Sequence, residues 1–313
     1  MGFFASLINS MPSAVAQGLI WGIMAIGVYL TYRILDVADL TVDGSLGTGG
    51  AVCVVMVLNG APVGLALLAA TAAGMLAGLV TGLFHTACGI PAILAGILTQ
   101  LALYSVNLRI MGFGTGGGKA NLPISVDKYG LLVSARYVRN VVLNNPILIL
   151  TIFCAVLIAV LYWFFGTELG CSLRATGANQ NMARAQGINT NVTKVLGLMI
   201  SNGLVALAGG LLAQYQGFSD INMGRGAIVI GLAAVIIGEV VFSKIFHNFA
   251  LKLFAVVIGA ILYYIVIQVV LWLGLNTNDL KMLQSLVVAM FLAVPFWKNK
   301  YFRKEKKGGA NHG

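Results

Sequence analysis

The sequence predicts an all-α protein, a polytopic transmembrane helical bundle of about nine spans whose second span is preceded by a broken polar segment. Of the 313 residues, 59% are hydrophobic and 9% are charged, whereas a soluble domain carries about 25% charged residues. Apolar runs without charged side chains recur along the whole chain, and a bilayer core of about 30 Å needs about 20 such residues per helix. Basic residues cluster at the C-terminus, which is typical of a membrane-flanking tail.

Nine hydrophobic segments form the predicted spans. They cover residues 12–32, 44–59, 62–84, 90–111, 145–165, 193–216, 226–242, 250–273 and 280–297. The first is predicted to be a retained span rather than a secretion signal, because no Lys or Arg precedes Arg33 and no convincing cleavage site follows. Residues 1–297 are therefore expected to form one transmembrane domain, and residues 298–313 a basic tail.

The net charge of +10 does not indicate a nucleic-acid partner, because the basic residues are concentrated in the C-terminal tail. By the positive-inside rule, this tail is expected in the cytoplasm. Counting back through nine spans then places the N-terminus outside. The two long polar connections fall on opposite sides, with residues 112–144 outside and residues 166–192 inside.

No enzyme motif is found. The run from Gly112 to Gly117 formally fits G-x-G-x-x-G, but that motif needs a preceding strand and a following helix to hold a pyrophosphate. His85, His247 and His312 lie far apart, and the four cysteines form no metal-binding pattern. We therefore expect no catalytic residue, metal or cofactor in this chain.

A polar, Gly-rich stretch over residues 36–50 separates the first two spans. Asp36, Asp39 and Asp43 are spaced by three and four residues, as on one helical face. In one interpretation Asp39, Thr41 and Asp43 cap the helix that starts near Gly44. In the other, Asp39 lines a pathway, because irregular backbone at membrane depth is tolerated where it lines a water-filled cavity.

The connection over residues 166–192 predicts a short helix capped by Asn179, with Met182, Ala183 and Gln186 on nearby turns and Gly187 as its C-terminal stop. Such a helix can rest on lipid headgroups or dock in a groove of a soluble partner. Its small residues and few arginines favour docking.

In the third span, Gly74, Gly78 and Gly82 recur every four residues. They place three positions without side chains on one face, where another helix can approach closely.

Three stretches together resemble the ABC importer permeases of the branched-chain amino acid and ribose group. The inner connection carries Gly170-x-x-Leu173-Arg174-Ala175-x-Gly177-x-Asn179, then Ala183 and Gly187-Ile188-Asn189. Asp39-Leu40-Thr41-Val42 with Gly44-Ser45 resembles the polar element before the broken second helix, and 224–238 resembles a later span. The resemblance covers about residues 13–296. An absent extra N-terminal span and Glu239-Val-Val-Phe242-Ser243-Lys244 after Gly238 favour the amino-acid branch, with aromatic amino acids as one substrate class.

The resemblance implies the permease subunit of an ATP-driven importer in a bacterial plasma membrane. Its implied partners are cytoplasmic ATP-binding subunits, a second permease copy in a homodimer, and an extracytoplasmic substrate-binding protein, so that ATP is hydrolysed in another chain. The residues expected to couple to the ATPase are Leu173, Arg174, Gly177, Asn179, Ala183 and Gly187. The expected pathway residues are Asp39, Thr41, Gln100, Asn107 and Gln214, although each can instead form an interhelical hydrogen bond.

Two other functions remain open from the residues alone. An ion-coupled secondary transporter needs no ATPase and often has inverted repeats, and Asp39-Leu40-Thr41 faintly resembles Asp220-Ile221-Asn222. A membrane-embedded enzyme would need a catalytic cluster, and the sequence has none with suitable spacing.

Overall fold

The computed structural model describes residues 2–113, 118–125, 128–138, 145–242, 248–272 and 279–302. The long apolar runs form helices, in which every backbone amide can be satisfied within the segment. The α-helices are α1 (Gly2–Tyr29), α2 (Val42–Leu58), α3 (Val63–Thr86), α4 (Ala92–Met111), α5 (Pro146–Phe165), α6 (Glu168–Ala178), α7 (Gln180–Ala185), α8 (Thr190–Gln216), α9 (Ala227–Phe242), α10 (Phe249–Trp272) and α11 (Leu280–Phe302). A π-helical turn, Leu30–Ile34, continues α1, and Ala135–Tyr137 forms a 3-10 turn.

The predicted helical bundle is confirmed, and a helix occupies each of the nine predicted segments within the described residues. By length and composition, six could each cross a bilayer: Ser10–Ile34, Val63–Thr86, Ala92–Met111, Pro146–Phe165, Thr190–Gln216 and Phe249–Trp272. The other three apolar stretches, Val42–Leu58, Ala227–Phe242 and Lys281–Ala293 within α11, are shorter. The 17 residues of α2 extend over about 26 Å, less than the hydrocarbon core. The count of nine spans therefore stays a prediction.

Helix α8 lies at the centre of the bundle and packs against α1, α2 and α3. One of these contacts is made by Gly74, Gly78 and Gly82, which we call the glycine stripe of α3. A Cβ atom at Gly74 or Gly78 would collide with the backbone carbonyl of Asn202 or Leu198 in α8, and one at Gly82 would lie 3.0 Å from the Cα of Val195. The predicted close helix approach is confirmed.

Glycines allow the same close approach on the other faces. A Cβ at Gly209 of α8 would collide with the carbonyl of Leu46 in α2, and one at Gly259 of α10 would collide with the carbonyl of Ala234 in α9. The peripheral helix α5 instead exposes an apolar ridge that includes Ile152, Val156 and Val160. An exposed ridge of this composition suits lipid.

The two ends of the bundle have different connections. At one end, strands β1 (Asn121–Pro123) and β2 (Phe218–Asp220) pair antiparallel, so that the connection after α4 is joined to the chain after α8. At the other end, α6 and α7 pack beside the start of α8. We call these the hairpin end and the loop end. Of the predicted basic tail, residues 303–313 lie outside the described part of the chain.

Candidate translocation and coupling sites

The chain between α1 and α2 is not helical. Asp36 adopts a positive φ of 54° and is exposed, and residues 36–40 then run without helical hydrogen bonds up to the start of α2. The prediction that Asp36, Asp39 and Asp43 share one helical face is therefore wrong, because the backbone leaves the helical region at Asp36. The break directs Asp39 into the bundle, where 2% of the residue is exposed.

Asp39 is held by uncharged donors. Its Oδ1 accepts from the backbone N–H of Thr41 over 2.9 Å, and its Oδ2 accepts from Asn202 Nδ2 over 2.6 Å. Ser45 Oγ in turn donates to Asn202 Oδ1 over 2.6 Å. The break is thus connected to the middle of α8 through hydrogen bonds inside the bundle. Thr41 is the N-cap residue of α2, but its side chain caps no amide of that helix, so its predicted capping role is wrong. Asp39 accepts instead from the N–H of the N-cap residue itself.

A second row of hydroxyls continues from Thr41. Its Oγ1 lies 2.7 Å from Thr81 Oγ1 of α3, and Thr81 Oγ1 donates to Thr99 Oγ1 of α4 over 2.9 Å. All three residues are buried. The polar network therefore joins α2, α3, α4 and α8 at membrane depth, where an unpaired polar group would be costly.

Asp43 caps a different helix from the predicted one. Its Oδ2 accepts from the backbone N–H of Gly226 over 2.9 Å, and its Oδ1 accepts from that of Ile228 over 3.0 Å. These are free amides at the start of α9, so the prediction that Asp43 caps the helix near Gly44 is wrong. Since α9 follows almost two hundred residues later, local spacing could not reveal this contact.

The other expected pathway residues fall into two places. Gln100 and Asn107 lie on the face of α4 that packs on α2, and Asn107 Nδ2 donates to the carbonyl of Gly44 over 3.5 Å. Asn107 Oδ1 is buried and has no hydrogen-bond partner in the described chain. Gln214 lies apart from them, where it accepts from Leu132 N and donates to Cys53 Sγ near the hairpin end.

At the loop end the expected coupling segment forms two helices, not one. Asn179 separates them and caps α7 by accepting from the backbone N–H groups of Asn181 and Met182, each over 3.1 Å. Gly187 has φ +81° after the end of α7. The predicted cap and stop of the short helix are confirmed, but α6 is a separate helix that precedes it.

Three of the six expected coupling residues face the bundle. Leu173 and Ala183 are buried, and a Cβ at Gly177 would collide with the carbonyl of Ile34. Arg174 lies over the ring of Phe249, with its Cζ 5.7 Å from the ring centroid. The exposed surface of α7 instead consists of Asn181, Met182, Arg184 and Ala185, followed by Gln186.

Three members of the polar network were not predicted from the sequence: Asn202, Thr81 and Thr99. Asn202 follows Ser201 within an apolar span, and an amide at that depth is itself a signal of an interhelical contact. The ion pair between Arg33 Nε and Glu239 Oε1, which are 2.9 Å apart, was likewise not predicted.

Comparison with known proteins agrees with this architecture. The family model of the branched-chain amino acid transport system permease component matches residues 10–295. The tyrosine transport system permease protein of Clostridioides difficile (strain R20291) is 41% identical over 285 residues, which cover 91% of each chain. The ribose import permease protein RbsC of Escherichia coli (strain K12) is 28% identical over 74% of this chain and 69% of that protein.

The solved structure of PsaBC from Streptococcus pneumoniae in complex with Fab aligns with a TM-score of 0.52, over 96% of this chain and 99% of that chain. At 16% identity this likeness shows the fold alone.

These matches bear on the functional alternatives. The matched proteins are permeases of transport systems, so the chain is a multi-pass membrane component of a transport system and not a catalytic enzyme. The expectation of an ABC-type importer permease is confirmed, and the ion-coupled alternative is not supported. Since the family model covers most of its length, the chain belongs to the family of branched-chain amino acid transport system permease components.

Proposed function

We propose that this permease works as one of two identical copies, driven by cytoplasmic ATP-binding subunits and supplied by an extracytoplasmic substrate-binding protein. The observation that carries the proposal is α7, a capped helix whose polar and small side chains are exposed beyond the bundle. A rigid, exposed helix of this kind can dock in a groove of a partner. The docking residues are then Asn181, Met182 and Ala185, with Asn179 and Gly187 setting the helix ends.

The buried coupling residues transmit the motion. Gly177 of α6 packs on Ile34, the last residue of the π-helical turn before the broken segment. Leu173 packs against Gly197 of α8, where an added Cβ would lie 2.7 Å from its Cδ2. Gly197 precedes Asn202 by about one and a half helical turns. A displacement of α7 and α6 by nucleotide-driven closure of the ATPase would therefore reach both partners of the Asp39–Asn202 hydrogen bond.

The loop end is assigned to the cytoplasm of a bacterial cell and the N-terminus to the outside. In support, the first span begins at the hairpin end, where Ser13 Oγ lies 3.0 Å from the hydroxyl oxygen of Tyr215. The basic tail follows α11, and such residues favour the cytoplasmic side.

The proposed substrate is an aromatic amino acid. The support is the relative named as a tyrosine transport permease, which matches over most of both chains. Asp39, Thr41, Gln100, Asn107 and Gln214 are the proposed pathway residues. Among them, Asn107 has a buried carbonyl oxygen without a partner in the described chain, which an opened pathway could offer to a substrate ammonium or hydroxyl group.

Uptake of radiolabelled tyrosine in cells that contain the whole system tests the proposal. Ala185→Trp would obstruct the docking face of α7, so uptake should fall at least tenfold at an unchanged membrane level. Lys281→Trp, at an exposed position at the start of α11, is the matched control and should transport normally. Gly177→Trp is unsuitable because it would disrupt packing on Ile34.

The energy source is tested in the same cells. A protonophore should leave uptake intact while ATP depletion abolishes it. Normal uptake by Ala185→Trp would refute docking through α7, and uptake that persists without ATP would refute the ATP-driven mechanism.

A further inference from the structure

Two adjoining cavities at the loop end share a wall formed by Arg174 and Phe249. The first, of about 260 Å³, is also lined by Tyr29, Arg33 and Lys252. The second, of about 410 Å³, is also lined by Tyr162, Trp163 and Phe165. One cavity is thus basic and the other aromatic, and the same two side chains separate them.

The basic cavity gathers cations from three separate elements. Arg33 lies on the π-helical turn after α1, Arg174 on α6 and Lys252 on α10. In the part of the chain that the structure describes, the acidic side chain in contact with these cations is that of Glu239, whose carboxylate lies 2.9 Å from Arg33 Nε. An arginine has five N–H donors, so Arg33 retains donors for another acceptor. Three cations against one carboxylate leave the cavity positively charged.

Arg174 is held in place by its neighbour. Its guanidinium lies over the ring of Phe249 at 5.7 Å, within the distance of a cation–π contact. Phe249 also packs on Phe165, with ring centroids 5.0 Å apart. The two rings, whose planes are inclined by 54°, therefore orient the cation at the border of the aromatic cavity.

The aromatic cavity has the composition of a membrane interface. Tyr162 and Trp163 near the end of α5 are 56% and 72% exposed, and such side chains are enriched at the level of lipid headgroups. Directly along α5 from them, Val156, Val160 and Ile152 form an exposed apolar ridge. A ligand in these cavities would contact cations at one end and the apolar ridge of α5 at the other.

We propose that the two cavities bind an anionic glycerophospholipid, with its phosphate among Arg33, Arg174 and Lys252 and an acyl chain along the ridge of α5. A free phosphate would use only the basic cavity and leave the aromatic wall and the ridge without a role. The site requires only that the chain spans a bilayer, so it is independent of the ATP-binding partner. It assigns Arg174 to lipid instead of to the docking face of α7.

Quenching of Trp163 by brominated lipids tests this site in the full chain reconstituted into vesicles. The Trp163 signal is the difference between the wild type and Trp163→Phe. Brominated phosphatidylglycerol should quench it at a lower mole fraction than brominated phosphatidylcholine. Because one cation near the surface contributes about a fivefold preference for anionic lipid, Lys252→Gln should reduce the preference about fivefold and Lys252→Arg should restore it.

Two further variants test the sign of the charge effect on the lipid preference and provide a control. Glu239→Gln frees Arg33 and should increase the preference for phosphatidylglycerol. Lys281→Gln removes an exposed cation at the start of α11, outside both cavities, and should leave the preference unchanged. Millimolar inorganic phosphate at constant ionic strength should have no effect.

Three results would overturn the proposal. Equal quenching by the two lipids would show no headgroup recognition. Equal effects of Lys252→Gln and Lys281→Gln would show that the preference for phosphatidylglycerol arises from general surface charge. Loss of the preference in the presence of phosphate would assign the cavity to a soluble anion.

Discussion

Asn202 donates a hydrogen bond from Nδ2 to Asp39 Oδ2 over 2.6 Å, and both residues are buried inside the bundle. The two belong to elements 163 positions apart in the sequence. Ser45 and Thr41 complete the set of donors around them. Uncharged hydrogen-bond donors therefore hold the non-helical segment before α2 against α8. These hydrogen bonds can break without the separation of two opposite charges.

Asn202→Ala should lower thermal stability in detergent. The substitution removes a donor from a buried carboxyl and an acceptor from Ser45, and an unsatisfied buried group costs about 1–3 kcal/mol. Size-exclusion after heating measures the change in Tm. Asn191→Ala, on the same helix but exposed, is the control and should change Tm little. Equal shifts in the two variants would contradict a structural role for the bond.

Gly78→Ala should destabilise the contact between α3 and α8. The added Cβ would collide with the carbonyl of Leu198, and overpacking of this kind costs about 1–3 kcal/mol. Gly64→Ala on the same helix meets no atom within 4 Å and should be neutral or slightly stabilising. The Tm of both variants checks the prediction, which fails if Gly78→Ala is as stable as Gly64→Ala.

Asp43→Ala should loosen the first turn of α9. The variant loses the acceptors for Gly226 N and Ile228 N, and loss of a helix cap costs about 0.5–2 kcal/mol. Hydrogen exchange measured by mass spectrometry should show faster deuterium uptake at residues 226–230. Asp43→Asn keeps one acceptor and should exchange at an intermediate rate. Unchanged uptake in Asp43→Ala would exclude the cap.

Gly187→Ala should weaken the end of α7. Its φ of +81° disfavours any residue with a Cβ, at a cost of about 1 kcal/mol. Since a Cβ there would meet no atom within 4 Å, the effect should be purely conformational. Exchange of the α7 amides should rise, and Gly187→Asn, which tolerates this region better, should rise less. Identical exchange in the two variants would argue against backbone strain as the cause.

The sequence by itself determined the membrane class, the positions of the nine apolar helices, the cap and stop of α7 and the glycine stripe of α3. These features depend on composition and on contacts within a few residues, so local sequence patterns predict them. The stripe shows this most clearly, because a repeat of four residues lies on one helix face whichever helix packs there.

Only the tertiary structure decided which elements these residues meet. Asp43 caps α9 instead of its own helix, Asp39 pairs with Asn202, and Leu173, Gly177 and Ala183 pack against the bundle instead of facing outwards. The basic and aromatic cavities likewise draw their walls from α1, α5, α6 and α10. The physical reason is that a polar group in an apolar medium must find a partner in three dimensions, and that partner can lie anywhere along the chain.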